Sequence, residues 1–191
     1  MKLKELVRQN RSYRIFDQTV PISRTLLEDW VDAARLANSS INRQPLRFYL
    51  SCDEATNGKI FPLTRWAGLL KDFDGPGEGE RPTAYILICV DSAIAPNPAS
   101  FEKDVGLTAE ILSLAAVEQG FGGCMIGSFD RKEMARVLEL EERMVPSLLL
   151  ALGKPAETVL LEELSPGAST DYYRDEKGHH VPKRPLKELL L

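Results

Sequence analysis

The feature that most constrains this fold is the segment Ala84–Asp91, which begins with seven consecutive apolar residues, AYILICV. A strand that is apolar on both faces has to be covered on both faces, so it is favoured at the centre of a sheet. Leu148–Leu152 is a second apolar segment and is predicted to be another buried strand. We therefore predict a sheet with layers packed against both of its faces.

Helical spacing of apolar residues predicts four helices around this sheet. The first ends near Asn10, the second runs from a cap at Ser23 or Thr25 to about Ala37, the third runs from Phe101 to Gln119, and the fourth begins after the cap Asp130. In the long third helix, the residues expected to face the core are Leu107, Ile111, Leu114 and Ala115. Gly120 is its predicted C-terminal stop.

Strands that alternate with helices through connections of uneven length predict an α+β fold. No repeat or linker divides the chain, so residues 1–191 are expected to form one domain. The last segment, Ala156–Leu191, is called the tail below. It is polar and offers little core of its own, so we expect it to be irregular and to become ordered on a partner surface.

Charge is distributed unevenly along the chain. The formal net charge is −4, yet residues 1–14 carry five basic side chains and one acidic side chain. Such a chain is poorly suited to binding a nucleic-acid polymer, whereas its basic end could hold a small anion such as phosphate. The longest strongly apolar run, Val145–Leu152, is far shorter than the roughly 20 residues of a membrane span, and the charged N-terminus has no hydrophobic signal core. We therefore expect no membrane partner and a cytoplasmic location.

The cysteines and histidines predict little chemistry of their own. Cys52, Cys89 and Cys124 are widely spaced and are expected to be buried thiols. His179 and His180 are adjacent, so their side chains point in different directions; both are expected to be solvated and to bind no metal. Without a further histidine, nucleophilic catalysis is hard to assemble, and a bound cofactor would carry the chemistry of an enzyme. No catalytic side chain is therefore predicted.

Two basic motifs lie near opposite ends of the chain. Arg11, Ser12 and Arg14 place two guanidinium groups and a hydroxyl within four residues. Guanidinium groups bind phosphate oxygens through paired donors, and a serine hydroxyl adds another donor. Lys183 and Arg184 form the second motif, which is flanked by prolines. A solvated cluster of charges would explain either motif equally well.

Two further motifs suit a flat, polar ligand. The segment Ser39–Pro45 concentrates hydroxyl and amide groups, which can donate to and accept from the edge of a heterocycle or a polyol chain. An ordinary turn also uses serine and asparagine. Cys124–Phe129 is flanked by glycines, whose lack of a side chain lets backbone amides approach a flat ligand closely.

Taken in this order, the motifs resemble those of the nitroreductase family of flavoproteins over nearly the whole chain. The residues that carry the resemblance are Arg11-Ser12-x-Arg14-x-Phe16, Ala37-x-Ser39-Ser40-x-Asn42-x-Gln44-Pro45-x-x-Phe48, Gly120-Phe-Gly-Gly-Cys-Met-Ile-Gly-Ser-Phe129, Ala151-Leu-Gly153-Lys-Pro155 and Pro182-Lys-Arg184. The resemblance implies a three-layer α+β sandwich with a mixed central sheet between helices. It also implies a homodimer in which the tail wraps the partner subunit.

The resemblance further implies two FMN molecules bound at the subunit interface. The FMN phosphate would be held by Arg11, Ser12, Arg14, Lys183 and Arg184. The other subunit would contribute Asn38, Ser39, Ser40 and Asn42, with Gln44 in support, and the flavin ring would lie against Met125, Ile126, Gly127 and Ser128, with main-chain amides near its N5 edge.

Three positions depart from the family pattern. Asn10 stands where many members have a second basic residue, and Leu46 stands where an aromatic residue is common. Gly127 stands where some members have a glutamate beside the flavin. These departures concern the substrate side of the implied site more than the cofactor.

The implied activity is an FMN-dependent oxidoreduction. Hydride would pass from NADH or NADPH to flavin N5, and a small electron-poor acceptor such as a nitroaromatic or a quinone would then be reduced at the same face by a ping-pong mechanism. Trp66 and the glycine loop after Phe73 are predicted to form a substrate-side wall. The alternatives on the same scaffold are reductive dehalogenation and flavin modification, and a flavin-binding module without turnover is the alternative outside the enzyme class.

Overall fold

The apolar segment at the middle of the chain forms the most buried strand of the molecule. The structure is a computed structural model that describes residues 2–191. All eight residues of Ala84–Asp91 are buried, and alternate side chains enter different cores. Ile86 and Ile88 point into one core, whereas Tyr85 and Leu87 point into the other. The prediction of a central strand covered on both faces is therefore confirmed.

The elements follow one another in mixed order along the chain. The helices are α1 (Leu3–Gln9), α2 (Arg24–Ala34), α3 (Glu54–Ile60), α4 (Glu102–Glu118) and α5 (Arg131–Val137). The strands are β1 (Phe16–Asp17), β2 (Leu46–Ser51), β3 (Ala84–Asp91), β4 (Gly122–Ile126), β5 (Met144–Pro155), β6 (Val159–Glu163), β7 (Tyr173–Asp175) and β8 (Gly178–Lys183). Helix α3 was not anticipated from the sequence. The fold class is α+β, as predicted.

The central sheet contains β1 to β5. Its strands are hydrogen-bonded in the order β1-β5-β3-β2, and β4 also pairs with β5. Every ladder between these named strands is antiparallel. The mixed character expected for this sheet is limited, among residues 2–191, to one parallel bridge between Ser12 and Gly123.

Helices cover the central sheet on both faces. Leu27 and Trp30 of α2 pack with Ala109 and Leu112 of α4 in one core. Met134 of α5 contributes to the second core, on the opposite face of the sheet. The three layers implied by the resemblance are therefore present.

The long helix α4 is apolar on more than one side, which misled the sequence prediction. The residues buried in its core face include Val105, Ala109, Leu112 and Ala116. Of the residues predicted to face the core, Leu107 is 52% exposed and Leu114 is only half-buried, whereas Ile111 and Ala115 are half-buried and pack against the core. Helical spacing identifies an apolar stripe but cannot choose between two of them on one helix. The helix thus leaves a second apolar stripe uncovered.

The tail is ordered on its own subunit rather than irregular. Strand β8 pairs in parallel with β6 and antiparallel with β7, which makes a separate three-stranded sheet, called the tail sheet below. The main-chain NH of Ala156 donates to the carbonyl of Ile15, and the Glu157 carboxylate accepts from the main-chain NH groups of Arg14 and Ile15. These contacts tie the tail to the start of the chain. Its wrapping of a partner subunit remains a prediction.

Within residues 2–191, no helix combines the length and the apolar character that crossing a bilayer requires.

Candidate functional site

The first basic motif lies where the chain leaves α1 and passes the edge of β4. The main-chain NH of Tyr13 donates to the carbonyl of Gly123 at 3.0 Å, and Ser12 forms a parallel bridge with Gly123. A Cβ on Gly123 would lie 2.7 Å from the carbonyl oxygen of Ala151, so a side chain would disturb the neighbouring strand. The adjacent Gly122, where a Cβ would lie 2.5 Å from the Tyr13 ring, lets the Arg11–Arg14 segment pack closely against the sheet.

Both ends of the chain contribute to one cleft of about 330 Å³ at this edge. The cleft is lined by Arg11, Ser12, Arg14, Gly123 and Met125, and by Tyr172, His179, Val181 and Lys183 of the tail. We call it the arginine cleft. Side chains at positions i, i+2 and i+4 of a strand share one face, so β8 presents His179, Val181 and Lys183 to the cleft together.

Arg14 is the most enclosed cation of the arginine cleft. The residue is 7% exposed, and its Nη1 lies 3.0 Å from Nε2 of His179 and donates to the carbonyl of Ser12 at 3.2 Å. Its guanidinium carbon lies 4.8 Å from the centre of the Tyr172 ring. Within residues 2–191, no carboxylate is within ion-pair distance of the Arg14 guanidinium.

His179 is buried and held neutral. Burial and the nearby cation Arg14 lower the pKa of His179 to about 4, with Arg174 and His180 acting in the same direction. Because a neutral imidazole has one acceptor nitrogen, Nε2 accepts from Arg14 and Nδ1 carries the proton. The prediction that His179 and His180 are solvated is wrong: they are 2% and 4% exposed. The residues that cover them come from distant parts of the chain, which local sequence does not reveal.

Several buried donors of the arginine cleft have no partner within the described part of the chain. They are Nε of Arg11, Nε of Arg14 and Nδ1 of His179. Burial lowers the pKa of Arg11, whereas the carboxylate of Glu110 at the cleft rim acts in the opposite direction. Unpaired buried donors cost free energy unless a ligand or solvent satisfies them. A phosphate monoester, which carries close to two negative charges and has several acceptor oxygens, fits this donor set.

A second cleft continues from the first. It shares Arg14, Met125 and Tyr172 with the arginine cleft, and its other lining residues include Arg65, Trp66, Cys124, Ile126, Gly127 and Ser128. We call it the Gly127 cleft. A Cβ on Gly127 would meet nothing within 4 Å, so the wall is open at the position where the chain leaves β4. The two clefts make a continuous groove with a cationic end and a smooth, open end.

Trp66 lines the Gly127 cleft but is largely buried. It is 7% exposed, packs against Phe61 in the core, and donates from Nε1 to Oγ1 of Thr64 at 2.9 Å. A Cβ on Gly75 would lie 2.9 Å from the Trp66 ring, so the glycine loop lies against it as expected. Trp66 is therefore mainly a core residue, and its role as a substrate-side wall remains a prediction.

The polar loop after α2 lies apart from this groove within one subunit. Asn38, Ser39 and Gln44 line a different cleft, together with Asp104. The hydroxyls of Ser39 and Ser40 both donate to the Asp104 carboxylate. Burial opposes ionisation of Asp104, but these hydrogen bonds outweigh it and lower its pKa.

The loop also has an unusual backbone. Ile41, Asn42 and Gln44 have positive φ angles of 49°, 53° and 52°, and Ile41 is 81% exposed. Asp104 fixes Ser39 and Ser40 in place and leaves Ile41 directed to solvent. Contact between this loop and a flavin would have to be made across a subunit interface.

The two residues of the second basic motif, Lys183 at the end of β8 and Arg184 just after it, lie in different surroundings. Lys183 lines the arginine cleft, whereas Arg184 does not and instead lies 3.6 Å from Glu188. Sequence reasoning also missed Tyr172 and His179 as lining residues. The i, i+2, i+4 spacing of His179, Val181 and Lys183 is the signal that could have located this face, had the tail been recognised as a strand.

No cluster of three or more metal-binding side chains occurs among residues 2–191. The groove is therefore characterised by its cations and its open glycine wall.

Comparison with known proteins identifies the family of this chain. The sequence model of the nitroreductase family matches residues 7–154. The Bacillus subtilis protein YdgI, provisionally named as an NAD(P)H nitroreductase, is 28% identical over 80% of this chain and 88% of its own. A crystal structure of a provisionally named nitroreductase from Exiguobacterium sibiricum in complex with FMN is 26% identical, with a TM-score of 0.67 over 82% of this chain and 89% of that chain.

A nitroreductase-family structure from Streptococcus pneumoniae matches the tail as well. It covers all of this chain and 99% of its own, with a TM-score of 0.70 and 22% identity, and so shows a shared fold that includes the tail. The family match spans most of the chain, including β1 to β4 and the residues of the groove that they carry. The chain therefore belongs to the nitroreductase family, which is a family of oxidoreductases.

Proposed function

We propose that this protein is an FMN-dependent NAD(P)H oxidoreductase that reduces a small electron-poor acceptor. The observation that carries the proposal is the arginine cleft, where Nε of Arg11, Nε of Arg14 and Nδ1 of His179 are buried donors without a hydrogen-bond partner among the described residues. The FMN complex of the relative from Exiguobacterium sibiricum supports the choice of ligand. The groove that continues from this cleft has the form that a phosphate joined to a flat ring requires.

The residues of the arginine cleft would bind and orient the cofactor. Arg11 and Arg14 would supply charge-assisted hydrogen bonds to the phosphate, and Lys183 would add a cation from the rim. Met125, which is 38% exposed, offers an apolar surface between the two clefts. When bound, FMN supplies hydride acceptance from a nicotinamide and electron delivery to an acceptor.

The open wall at Gly127 would admit the two substrates in turn. Because Gly127 has no side chain and nothing lies within 4 Å of the position of a Cβ, a planar group can approach there. The protein would then contribute by aligning the hydride donor with the acceptor. Holding the two reactants in the reactive geometry lowers the entropic cost of bringing them together and so accelerates hydride transfer. No side chain has to act as an acid or base. A single open face used by both substrates leads to ping-pong kinetics.

A homodimer would complete the site. The stripe of α4 that the core leaves uncovered, with Leu107 and Leu114, and the exposed Ile41 are apolar surfaces that an interface would bury. In such a dimer, the loop of Asn38 and Ser39 can reach the groove of the other subunit. Light scattering of the purified protein measures the mass, and a monomer of 21.3 kDa would contradict this part of the proposal.

The test of the activity is spectroscopic. Protein purified after riboflavin supplementation should be yellow, and anaerobic mixing with NADH or NADPH should bleach the flavin band, which a nitroaromatic or a quinone should then restore. The double variant R11Q/R14Q should lose bound FMN while it keeps the far-ultraviolet circular dichroism of the wild type. Colourless wild-type protein, or unchanged FMN affinity in the double variant, would contradict the cofactor assignment. A yellow protein that neither reductant bleaches would be a flavin-binding module.

A further inference from the structure

Another cleft, of about 780 Å³, opens beside the Gly127 cleft and carries charge that the proposed function does not use. It shares Arg65, Gly127 and Ser128 with the Gly127 cleft and extends to Asp130 and Arg131. The two spaces therefore form one continuous surface beyond the open glycine wall. A substrate docked at Gly127 has room to extend toward Arg131.

Two short segments are paired side by side to form this surface. The main-chain NH of Arg65 donates to the carbonyl of Ser128 at 3.0 Å, and the NH of Asp130 donates to the carbonyl of Leu63 at 3.1 Å. An antiparallel bridge between Thr64 and Phe129 lies between these bonds. The pairing places the main chain of Arg65 directly beside Gly127 and Ser128.

Arg131 folds back toward the same point. Its guanidinium carbon lies 4.9 Å from the centre of the Phe129 ring, and its Nη2 lies 3.2 Å from the carbonyl oxygen of Gly127. A second carbonyl, of Ser147, is 3.4 Å away. The stacking and the two carbonyls hold the guanidinium in place, while Nε and Nη1 take no part in these bonds.

The charge of this surface is not compensated within the described residues. Neither Arg65 nor Arg131 forms an ion pair with any of them, and the Arg65 guanidinium has no hydrogen-bond partner among them. Asp130 is the acidic residue that lines the cleft, and its Oδ1 already accepts from the main-chain NH of Glu133 at 2.9 Å. The protein as a whole carries a net charge of −4, so two unpaired guanidinium groups beside the open wall are a local departure from its overall charge.

We propose that Arg65 and Arg131 form an anion subsite that selects substrates bearing a phosphate or carboxylate group. The inference rests on the proposed function, because the substrate it selects is the one that docks at Gly127. The anionic group can belong to the dinucleotide reductant, as the 2′-phosphate of NADPH, or to an acidic acceptor. Guanidinium groups recognise both kinds of oxyanion through paired donors.

The test measures binding without turnover, so that it does not depend on the activity. Isothermal titration of FMN-saturated protein uses four probes: 2′,5′-ADP with 5′-AMP as its control, and 4-nitrobenzoate with the neutral 4-nitrobenzamide as its control. The variants are R65Q, R131Q and the double variant, with R136Q as the matched control, since Arg136 lies on α5 and is paired with Glu133. If R131Q disturbs the carbonyls that Arg131 holds, R65Q alone decides the test, because Arg65 has no internal side-chain contact to lose.

The expected result is a loss of about tenfold or more in affinity for at least one charged probe in the double variant, corresponding to roughly 1.4 kcal/mol or more. The neutral probe, the FMN content and R136Q should change by less than about twofold on the same scale. A loss confined to 2′,5′-ADP assigns the subsite to the dinucleotide, and a loss confined to 4-nitrobenzoate assigns it to an acidic acceptor. Unchanged affinity for both charged probes, or loss of FMN in R65Q, would overturn the proposal.

The same preparations separate this inference from the proposed function. If NADH and NADPH fail to bleach the flavin but the charged probes still depend on Arg65 and Arg131, the activity is wrong and the anion subsite stands. If bleaching proceeds while the probes bind equally to wild type and double variant, the activity stands and the subsite does not.

Discussion

His179 and His180 are adjacent on β8, but the two faces of the strand give them opposite chemistry. His179 faces the arginine cleft beside Arg14, and its pKa is lowered to about 4 by burial and that cation. His180 faces the tail sheet, where Nδ1 lies 2.6 Å from Glu162 and Nε2 lies 2.8 Å from Asp175. The hydrogen bonds that the imidazole donates to Asp175 and Glu162 raise the pKa of His180.

Because its two faces differ in this way, a short sheet with few apolar residues can form one wall of a cleft. On its outer face, an imidazolium bridges β6 and β7 and stacks on Tyr173, with ring centres 4.4 Å apart. On its inner face, a neutral imidazole accepts a hydrogen bond from Arg14 and so leaves the positive charge of the cleft for a ligand. The outer face holds the three strands of the tail sheet together, and the inner face lines the arginine cleft.

Replacing Arg14, which contacts His179 on the inner face of the tail sheet, should reduce FMN affinity more than any other change considered below. R14Q removes a buried cation that makes charge-assisted hydrogen bonds, each worth about 1.5–3 kcal/mol, so FMN affinity should fall roughly 10- to 100-fold. The pKa of His179 should rise toward its ordinary value, whereas that of His180 should not change. Flavin fluorescence titration measures the affinity, and NMR titration of the imidazole protons measures both pKa values. A shift of His180 as large as that of His179 would mean that the two faces are coupled.

Replacing His180 should destabilise the tail sheet, because His180 links β6 and β7 on its outer face. H180Q loses both carboxylate contacts of the imidazolium, so amide hydrogen exchange should accelerate across β6 to β8 and remain slow in β3. FMN affinity should fall less than in R14Q, by roughly three- to tenfold, because the lining residues Tyr172 and Lys183 become less ordered. H179Q is the matched control. If amide hydrogen exchange in β6 to β8 were faster in H179Q than in H180Q, the conclusion that His180 stabilises the tail sheet would be wrong.

The pH dependence of stability should differ in sign between the two faces. The folded pKa of His179 lies below its unfolded value, so stability is lost as pH falls from about 6.5 toward 4. The folded pKa of His180 lies above its unfolded value, so its contribution is present below about 6.5 and is lost as pH rises through the folded pKa. Urea unfolding at a series of pH values checks this. H179Q should be less sensitive to acid than wild type, and H180Q should lose stability mainly on the acid side.

The smallest effect on FMN affinity should come from replacing Lys183, at the end of β8. Lys183 lines the arginine cleft at its exposed rim, whereas Arg184 is directed away from it toward Glu188. K183Q should weaken FMN binding about two- to fivefold at low salt, and less at high salt because exposed charges are screened. R184Q should leave the affinity unchanged. Equal losses in the two variants would mean that the strand face does not decide which cation reaches the cofactor.

The central sheet could be predicted because its signals are local. The apolar run of β3, the Gly120 stop with φ of 78° and the Asp130 cap, which accepts from the main-chain NH of Glu133, are each set by a few neighbouring residues. Helix α3 was missed although Asp53 caps it by accepting from the NH of Thr56. Its apolar content is low, so periodicity does not reveal it.

The candidate site was predictable only in part, for the same physical reason. Arg11 and Arg14 stand out by residue type and spacing, and the structure places them with Lys183 in one cleft. The burial of His179 depends on the pairing of β8 with β6, which brings together residues about 20 positions apart and has no local pattern. The assignment of these residues to FMN remains a prediction.

The arginine cleft is lined by residues from 10 to 14 and from 172 to 183, together with residues of α4 and β4. During synthesis, residues 10–14 are made long before residues 172–183, so the arginine cleft forms only after β8 has been synthesised. A chain cut short before β8 could still build the central sheet, yet it would lack the wall that His179, Val181 and Lys183 give to the arginine cleft.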